Sequence, residues 1–378
     1  MRGYAEGALE LTGEAEKHLS QCIVCRACET VCPSGIRMGE MMESFRHELN
    51  LIHPPRRAGE LLGRFLLRHV LPYRERIAAI SDLMYAYQKS GLRRVVEGLN
   101  RRFFKRLAAL DRLQPIVPDP ALRRLETDKT RPEGYAAEGK ARMRAGLFLG
   151  CIASEWFAPT HWATIRVLQK NGCDVLVPDG QTCCGALHRH SGLLEDSSAL
   201  FARNAAVFSK ARVDAVIVNA AGCGAALKEP PEDFPQGLGV PVRDIGEFLD
   251  EIGMVKPAGR IEKKVAYHQP CHLVHGQRVG PQAIEDLLKC IPGLQLIPLA
   301  DSDRCCGSGG VYNLVHPEMA EPLAREKGEA IVRSGAEIVV TGNPGCALQI
   351  RSALASTSPG IEVLHPIDLL DRSFSLTR

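Results

Sequence analysis

Two stretches of this chain carry the same cysteine pattern, and that repetition constrains the fold more than any other feature. The first stretch holds Cys151, the pair Cys183-Cys184 followed by Gly185, and Cys223. The second holds Cys271, the pair Cys305-Cys306 followed by Gly307, and Cys346. Corresponding cysteines lie 120, 122 and 123 residues apart. A fixed period of this length marks a duplicated structural unit.

The texture between the cysteines says what the unit is. Short apolar strands are expected at Gly146–Gly150, Asp174–Val177 and Ala215–Val218, and again at Lys264–Tyr267, Leu294–Ile297 and Glu337–Val340. Helices are expected between them at Thr160–Lys170, Leu194–Lys210, Gln282–Cys290 and Pro317–Ser334. Strand–helix alternation predicts parallel sheets covered by helices. The chain therefore reads as an α/β protein with two tandem, pseudo-symmetric modules. Each cysteine falls where a strand ends, the place where ligands gather in open α/β sheets. The spacing predicts that Cys151, Cys183, Cys184 and Cys223 converge, as do Cys271, Cys305, Cys306 and Cys346. Four thiolates in one pocket suit an iron–sulfur centre or zinc. The competing reading is dithiol chemistry at the two vicinal pairs. The bland reading, unliganded core thiols, does not account for a four-cysteine pattern that recurs at nearly the same spacing.

A third group lies near the N-terminus, in Cys22-Ile-Val-Cys25-Arg-Ala-Cys28-Glu-Thr-Val-Cys32-Pro33. This is the bacterial ferredoxin run, C-x2-C-x2-C-x3-C-P, which holds a [4Fe-4S] cluster. In two-cluster ferredoxins the fourth cysteine ligates the other cluster. The run is therefore expected to be half of an interlocked pair. The complement of Cys32, and the fourth ligand beside Cys22, Cys25 and Cys28, are expected upstream, on a partner, or from a non-cysteine group. These three groups take twelve of the fourteen cysteines. Cys173 and Cys290 read as small core residues. Each of the histidines His188, His190, His268, His272 and His275 reads as a ligand, a proton carrier or a hydrogen-bonded core residue, the last being usual for a lone histidine; His272 and His275, in Cys271-His-Leu-Val-His275, are the first to test.

Cysteine-rich metal chemistry in a chain of 378 residues points away from a secreted disulfide scaffold. With no signal-peptide pattern and no apolar run near eighteen residues, a cytoplasmic location is expected. Charge is uneven. Residues 56–112 carry 14 basic and 5 acidic side chains, net +9 against +3 for the chain. Their amphipathic pattern predicts helices that dock an acidic partner or anionic lipid, or else a solvated connector. No nucleic-acid motif accompanies the charge. The proline-rich stretch 114–142 reads as a linker. The expected organisation is a ferredoxin-like segment at 1–52, a basic helical region and linker at 53–142, and modules at 143–258 and 259–378.

Taken together, these segments resemble the iron–sulfur subunits of glycolate oxidase, within the wider family carrying the CCG cysteine-rich domain of heterodisulfide reductase. The resemblance rests on His18–Gly35, Cys183-Cys-Gly-Ala-Leu-His188, Asn219–Gly224, Tyr267–Gly276, Cys305–Gly310 with Tyr312-Asn313, and Thr341–Cys346. It implies an electron conduit: flavin-containing partner subunits oxidise the hydroxy acid, and this subunit passes electrons toward a membrane quinone, peripheral to the inner face of the membrane. Alternatives are a different substrate (lactate, glycerol 3-phosphate, or a heterodisulfide reductase-like reaction) and a zinc-stabilised scaffold. The chain departs from the full CCG signature, which ends in Cys-x-x-Cys: Ala226 and Gln349 stand at the last positions. Four thiolates per module remain. It also departs in having one ferredoxin run where the family has two.

Overall fold

The computed structural model describes residues 2–7, 13–54, 56, 58–90, 114–125, 134–355 and 357–376. Two four-stranded sheets form its centre. The first joins β1 (Met143–Phe148), β2 (Cys173–Leu176), β3 (Ala215–Val218) and β4 (Val242–Asp244) in the order β2-β1-β3-β4. The second joins β5 (Lys264–Tyr267), β6 (Gln295–Ile297), β7 (Ile338–Val340) and β8 (Glu362–Leu364) in the order β6-β5-β7-β8. Every pairing within the sheets is parallel. The two orders are the same order, so the duplication in sequence is a duplication in topology.

Central strands buried on both faces need continuous apolar runs rather than alternation. β3, with sequence Ala-Val-Ile-Val, is buried at all four positions. The modules share a core: Leu147, Val175 and Ile217 of the first belong to one apolar cluster with Val265, Tyr267 and Val340 of the second. A backbone bond and a bond from the Gln277 side chain cross this junction. Ala221 N–H donates to the Gly342 carbonyl at 3.0 Å, and the Gln277 amide donates to the Ala221 carbonyl at 3.0 Å.

The basic region forms helices at Ala58–His69 and Arg74–Lys89, which pack on the first module. His188 Nε2 bonds the Leu67 carbonyl at 2.7 Å, and Thr182 Oγ1 donates to the Pro72 carbonyl at 2.6 Å. The rest of the expected basic helices, residues 91–113, lies outside the described residues. The supposed linker 114–142 is in part ordered packing. Asp119 caps the short helix Pro120–Arg123, and buried Arg123 ion-pairs with Glu155 at 2.9 Å and with Asp82. Tyr135 forms a β-bridge with Val175. A buried guanidinium held by two carboxylates anchors the segment, which proline content alone did not suggest.

Candidate metal centres

Each module gathers its four cysteines at one end of its sheet. Cys151 follows β1, the vicinal pair follows β2, and Cys223 sits in the helix Ala221–Lys228 after β3. Cys183 and Cys151 lie 3.6 Å apart, sulfur to sulfur. Neighbouring thiols act on one another in the series Cys151, Cys183, Cys184, Cys223, and in the second module in the matching series Cys271, Cys305, Cys306, Cys346. All fourteen cysteines are unbonded.

The turn after each vicinal pair is built the same way. Gly185 and Gly307 both adopt φ +84°, and their N–H groups donate to Cys183 Sγ and Cys305 Sγ at 3.5 Å each. A side chain at Gly307 would meet the Ala320 carbonyl at 2.5 Å, and one at Gly185 would meet Ser197 Oγ at 2.7 Å. Only glycine satisfies both the left-handed backbone and the space.

The thiols are not poised to ionise unaided. The Cys151 thiol is held well above its ordinary range by its bond to Cys183 and by burial, and Cys271 likewise by its bond to Cys305 and burial. Cys305 gains from a bond donated by Cys271, yet its own bond to Cys306 and burial push it up to about 12. Crowded, buried thiols of this kind acquire thiolate character from a metal cation, which supplies the missing positive charge. The donor sets therefore fit a soft metal centre.

The two sets are walled differently. Ile77, Val70 and Leu71 from the basic helical region form one apolar cluster with Cys151 and Cys183, and so close the first set from water. The second set meets the N-terminal cysteine loop. The Tyr312 hydroxyl donates to the Gln21 carbonyl at 2.7 Å. Thr30 Oγ1 and His275 Nδ1 lie 2.7 Å apart. Arg26 ties the same loop to the first module, gripping Glu229 through two bonds of 2.7 Å, and also binds Glu29. The Cys25 thiol is raised by burial and then by the nearby charges of Cys271 and Cys22, so the N-terminal loop and the second set are neighbours.

Within that loop Val24 and Arg26 adopt φ of +57° and +65° on either side of Cys25. A β-branched residue in this region is strained. Val24 is held there by burial against Met42 and Phe45. The Cys28 thiol is raised by burial and then by Cys25 and Cys22, which groups those three. Cys32 experiences a different environment: the backbone N–H groups of Ile36 and Ser34 hold its thiol below the ordinary value.

The leftover cysteines stay outside the sets: Cys173 is buried at the start of β2, and half-buried Cys290 caps the helix Pro281–Lys289. At the positions that depart from the CCG signature, Ala226 packs on the first module's core, and Gln349 accepts from the Asn313 amide at 2.8 Å. His272 Nδ1 lies 3.5 Å from Cys271 Sγ, and His275 is engaged with Thr30. Of the five histidines noted in the sequence, the one placed among the thiols is His268, not the pair His272 and His275. It stands with Cys306 and Cys346 in a trio whose ligand atoms all lie within 4.8 Å of one another. The signal was its place three residues before Cys271, at the end of β5.

A duplicated parallel α/β unit with four thiols at each sheet end defines a tandem cysteine-rich-domain protein. The chain matches the family described as "Cysteine-rich domain" (CCG) at residues 145–228 and 265–351, and the "Glycolate oxidase iron-sulfur subunit, linker region" at 58–113. It is 34% identical to the probable glycolate oxidase iron-sulfur subunit of Bacillus subtilis, over 98% of this chain and 85% of that one. It is 30% identical to the glycolate oxidase iron-sulfur subunit of Escherichia coli, over 96% of this chain and 84% of that one. The chain belongs to the family of glycolate oxidase iron–sulfur subunits. A shorter relative, lactate utilization protein A of Shouchella clausii, is 30% identical over 61% of this chain and 99% of its own length. Among solved structures, glutamate racemase from Bacillus anthracis gives a TM-score of 0.27 at 11% identity, over 63% of this chain and 82% of that one, a likeness too slight to use.

Proposed function

We propose that this chain is the electron-carrying subunit of a complex that oxidises glycolate, with substrate oxidation on flavin-containing partner subunits and a membrane quinone as acceptor. The observation that carries this reading is the assembly of three thiol groups in one body, with Cys25 of the N-terminal loop beside Cys271 of the second module. Iron–sulfur centres, when bound, take up and release single electrons at potentials set by hydrogen bonds and burial. On this reading Cys22, Cys25 and Cys28 hold a [4Fe-4S] cluster, Cys32 serves a neighbouring one, and the eight module cysteines hold further iron–sulfur or zinc centres. The protein's own contribution is to bind them, to exclude water with Ile77 and its neighbours, and to fix the distance between ligand sets through Arg26, Thr30 and Tyr312.

No helix among the described residues is long and apolar enough to cross a membrane. Leu61, Leu62, Phe65 and Leu66 are exposed together on the helix Ala58–His69, within the strongly basic region. This combination of apolar and basic groups supports attachment at the cytoplasmic membrane surface.

Glycolate added anaerobically to the assembled complex tests the reading. The iron–sulfur absorption should bleach as the centres reduce, faster than with lactate or glycerol 3-phosphate. A complex whose flavin subunits turn over glycolate with this subunit spectrally inert would overturn it.

A further inference from the structure

The two modules share topology and cysteine spacing, yet the residue three positions before the first cysteine differs. In the first module it is Phe148, buried in the apolar cluster that contains Cys184. In the second it is His268, which is 1% exposed. Neither ring nitrogen of His268 has a hydrogen-bond partner; the nearby Ser302 backbone falls outside hydrogen-bond geometry. A fully buried imidazole with two unpaired nitrogens forfeits its hydration at both, a loss that native proteins normally offset with a partner, a water or an ion. Here an ion has the better claim, because a ring nitrogen lies with Cys306 Sγ and Cys346 Sγ inside a 4.8 Å span. A tetrahedral centre with bonds of ~2.0–2.3 Å places its ligand atoms less than ~4 Å apart, so a small contraction closes this trio on one ion.

The surroundings are also asymmetric. Lys327, 2% exposed, donates to the Asp301 carbonyl and lies close to Cys306 and Cys305. At the corresponding turn of the first module stands neutral Asn204, which donates to the Cys183 carbonyl at 3.0 Å. A buried ammonium persists beside groups that carry negative charge, as metal-bound thiolates do. The first module has an all-sulfur set in an apolar surround, and the second has a histidine and a cation.

We propose that His268 is a direct metal ligand of the second module, binding iron or zinc together with Cys306 and Cys346, and that the two modules therefore hold chemically different centres. The proposal rests on the reading of the cysteine sets as metal centres. Where the ion is iron, histidine in place of thiolate raises the reduction potential, as it does when histidines replace cysteines in two-iron clusters. That would make the second module the more readily reduced of the two.

X-ray absorption at the iron and zinc edges, on anaerobically purified full-length protein and on the variants His268→Gln and His268→Cys, tests the assignment. The unmodified protein should show a nitrogen shell at about 2.0–2.1 Å beside the sulfur shell at about 2.3 Å. His268→Gln should lose the nitrogen shell and part of the second module's metal, with the remaining metal unchanged. His268→Cys should retain the metal and replace nitrogen by sulfur, which also guards against a variant that merely fails to fold. Full metal content with an unaltered nitrogen shell in both variants would overturn the assignment alone. Protein that holds neither metal would overturn the metal reading itself, and the assignment with it.

Discussion

At the scale of single residues, the cysteine sets depend on their glycine turns as much as on their sulfurs. Gly185→Ala or Gly307→Ala would combine a left-handed backbone with a Cβ closer than 3 Å to its neighbour. Each should cost roughly 1–3 kcal/mol and lower the metal content of its own module only. Metal counts per chain, with thermal unfolding, check this; equal loss from both modules would contradict it. The cysteines, their pairing into sets and these glycines were all legible in the sequence, because the duplication repeats the same residue types at nearly the same spacing. His268 was not. A histidine beside a cysteine is common, and what singles this one out is the absence of any hydrogen-bond partner, which only three-dimensional packing reveals.

Among the elements, the helix cap at the end of β4 carries a pH dependence. Asp244 caps the helix Ile245–Ile252 in a capping box, but its second carboxylate oxygen is buried without a partner. Burial outweighs the bond from Gly246 and raises its pKa to about 7. Since the folded value lies above the unfolded one, Asp244 carries no penalty below about pH 4. The penalty grows as pH rises toward 7, on the order of 4 kcal/mol in all. Asp244→Asn keeps the acceptor for Gly246 N–H and cannot ionise. It should raise the unfolding midpoint by several degrees at pH 8 and leave it nearly unchanged at pH 4; an equal shift at both would contradict this account. The helix Arg74–Lys89 offers a second test, since Ile77 closes the first set from water. Ile77→Asp should speed loss of the first module's metal in air several-fold while the second module's is retained, as followed by metal analysis over time. Six of the eight strands and the helices between them were readable from apolar runs and punctuation; the three-residue edge strands β4 and β8, too short to show a pattern, were not. The packing of residues 114–125 was not, since one buried arginine between two distant carboxylates leaves no local pattern.

For the molecule as a whole, the N-terminal cysteine loop is joined to the two-module body through part-buried polar contacts of Arg26, Thr30 and Gln21. Arg26 is 7% exposed and bound to both Glu229 and Glu29. Removing it leaves two half-buried carboxylates without their cation, so Arg26→Ala should weaken docking of the loop by about 1.5–3 kcal/mol. Hydrogen exchange across residues 21–32 should then rise at least tenfold while β1, β3, β5 and β7 stay protected. Unchanged exchange would show that the contact does not hold the loop. The duplicated modules were visible at this scale from the repeat alone, whereas the docking of the loop on the second module joins residues more than 200 positions apart and has no sequence signature. The central claim is that the thiol sets are redox iron–sulfur centres. The most direct measurement is an anaerobic reductive titration of the purified chain followed by low-temperature EPR, with iron, labile sulfide and zinc counted on the same sample. The account predicts iron and sulfide in several atoms per chain and at least two signals with distinct potentials, one of which is lost in Cys306→Ser. Zinc without iron or labile sulfide, and no reducible signal, would contradict it.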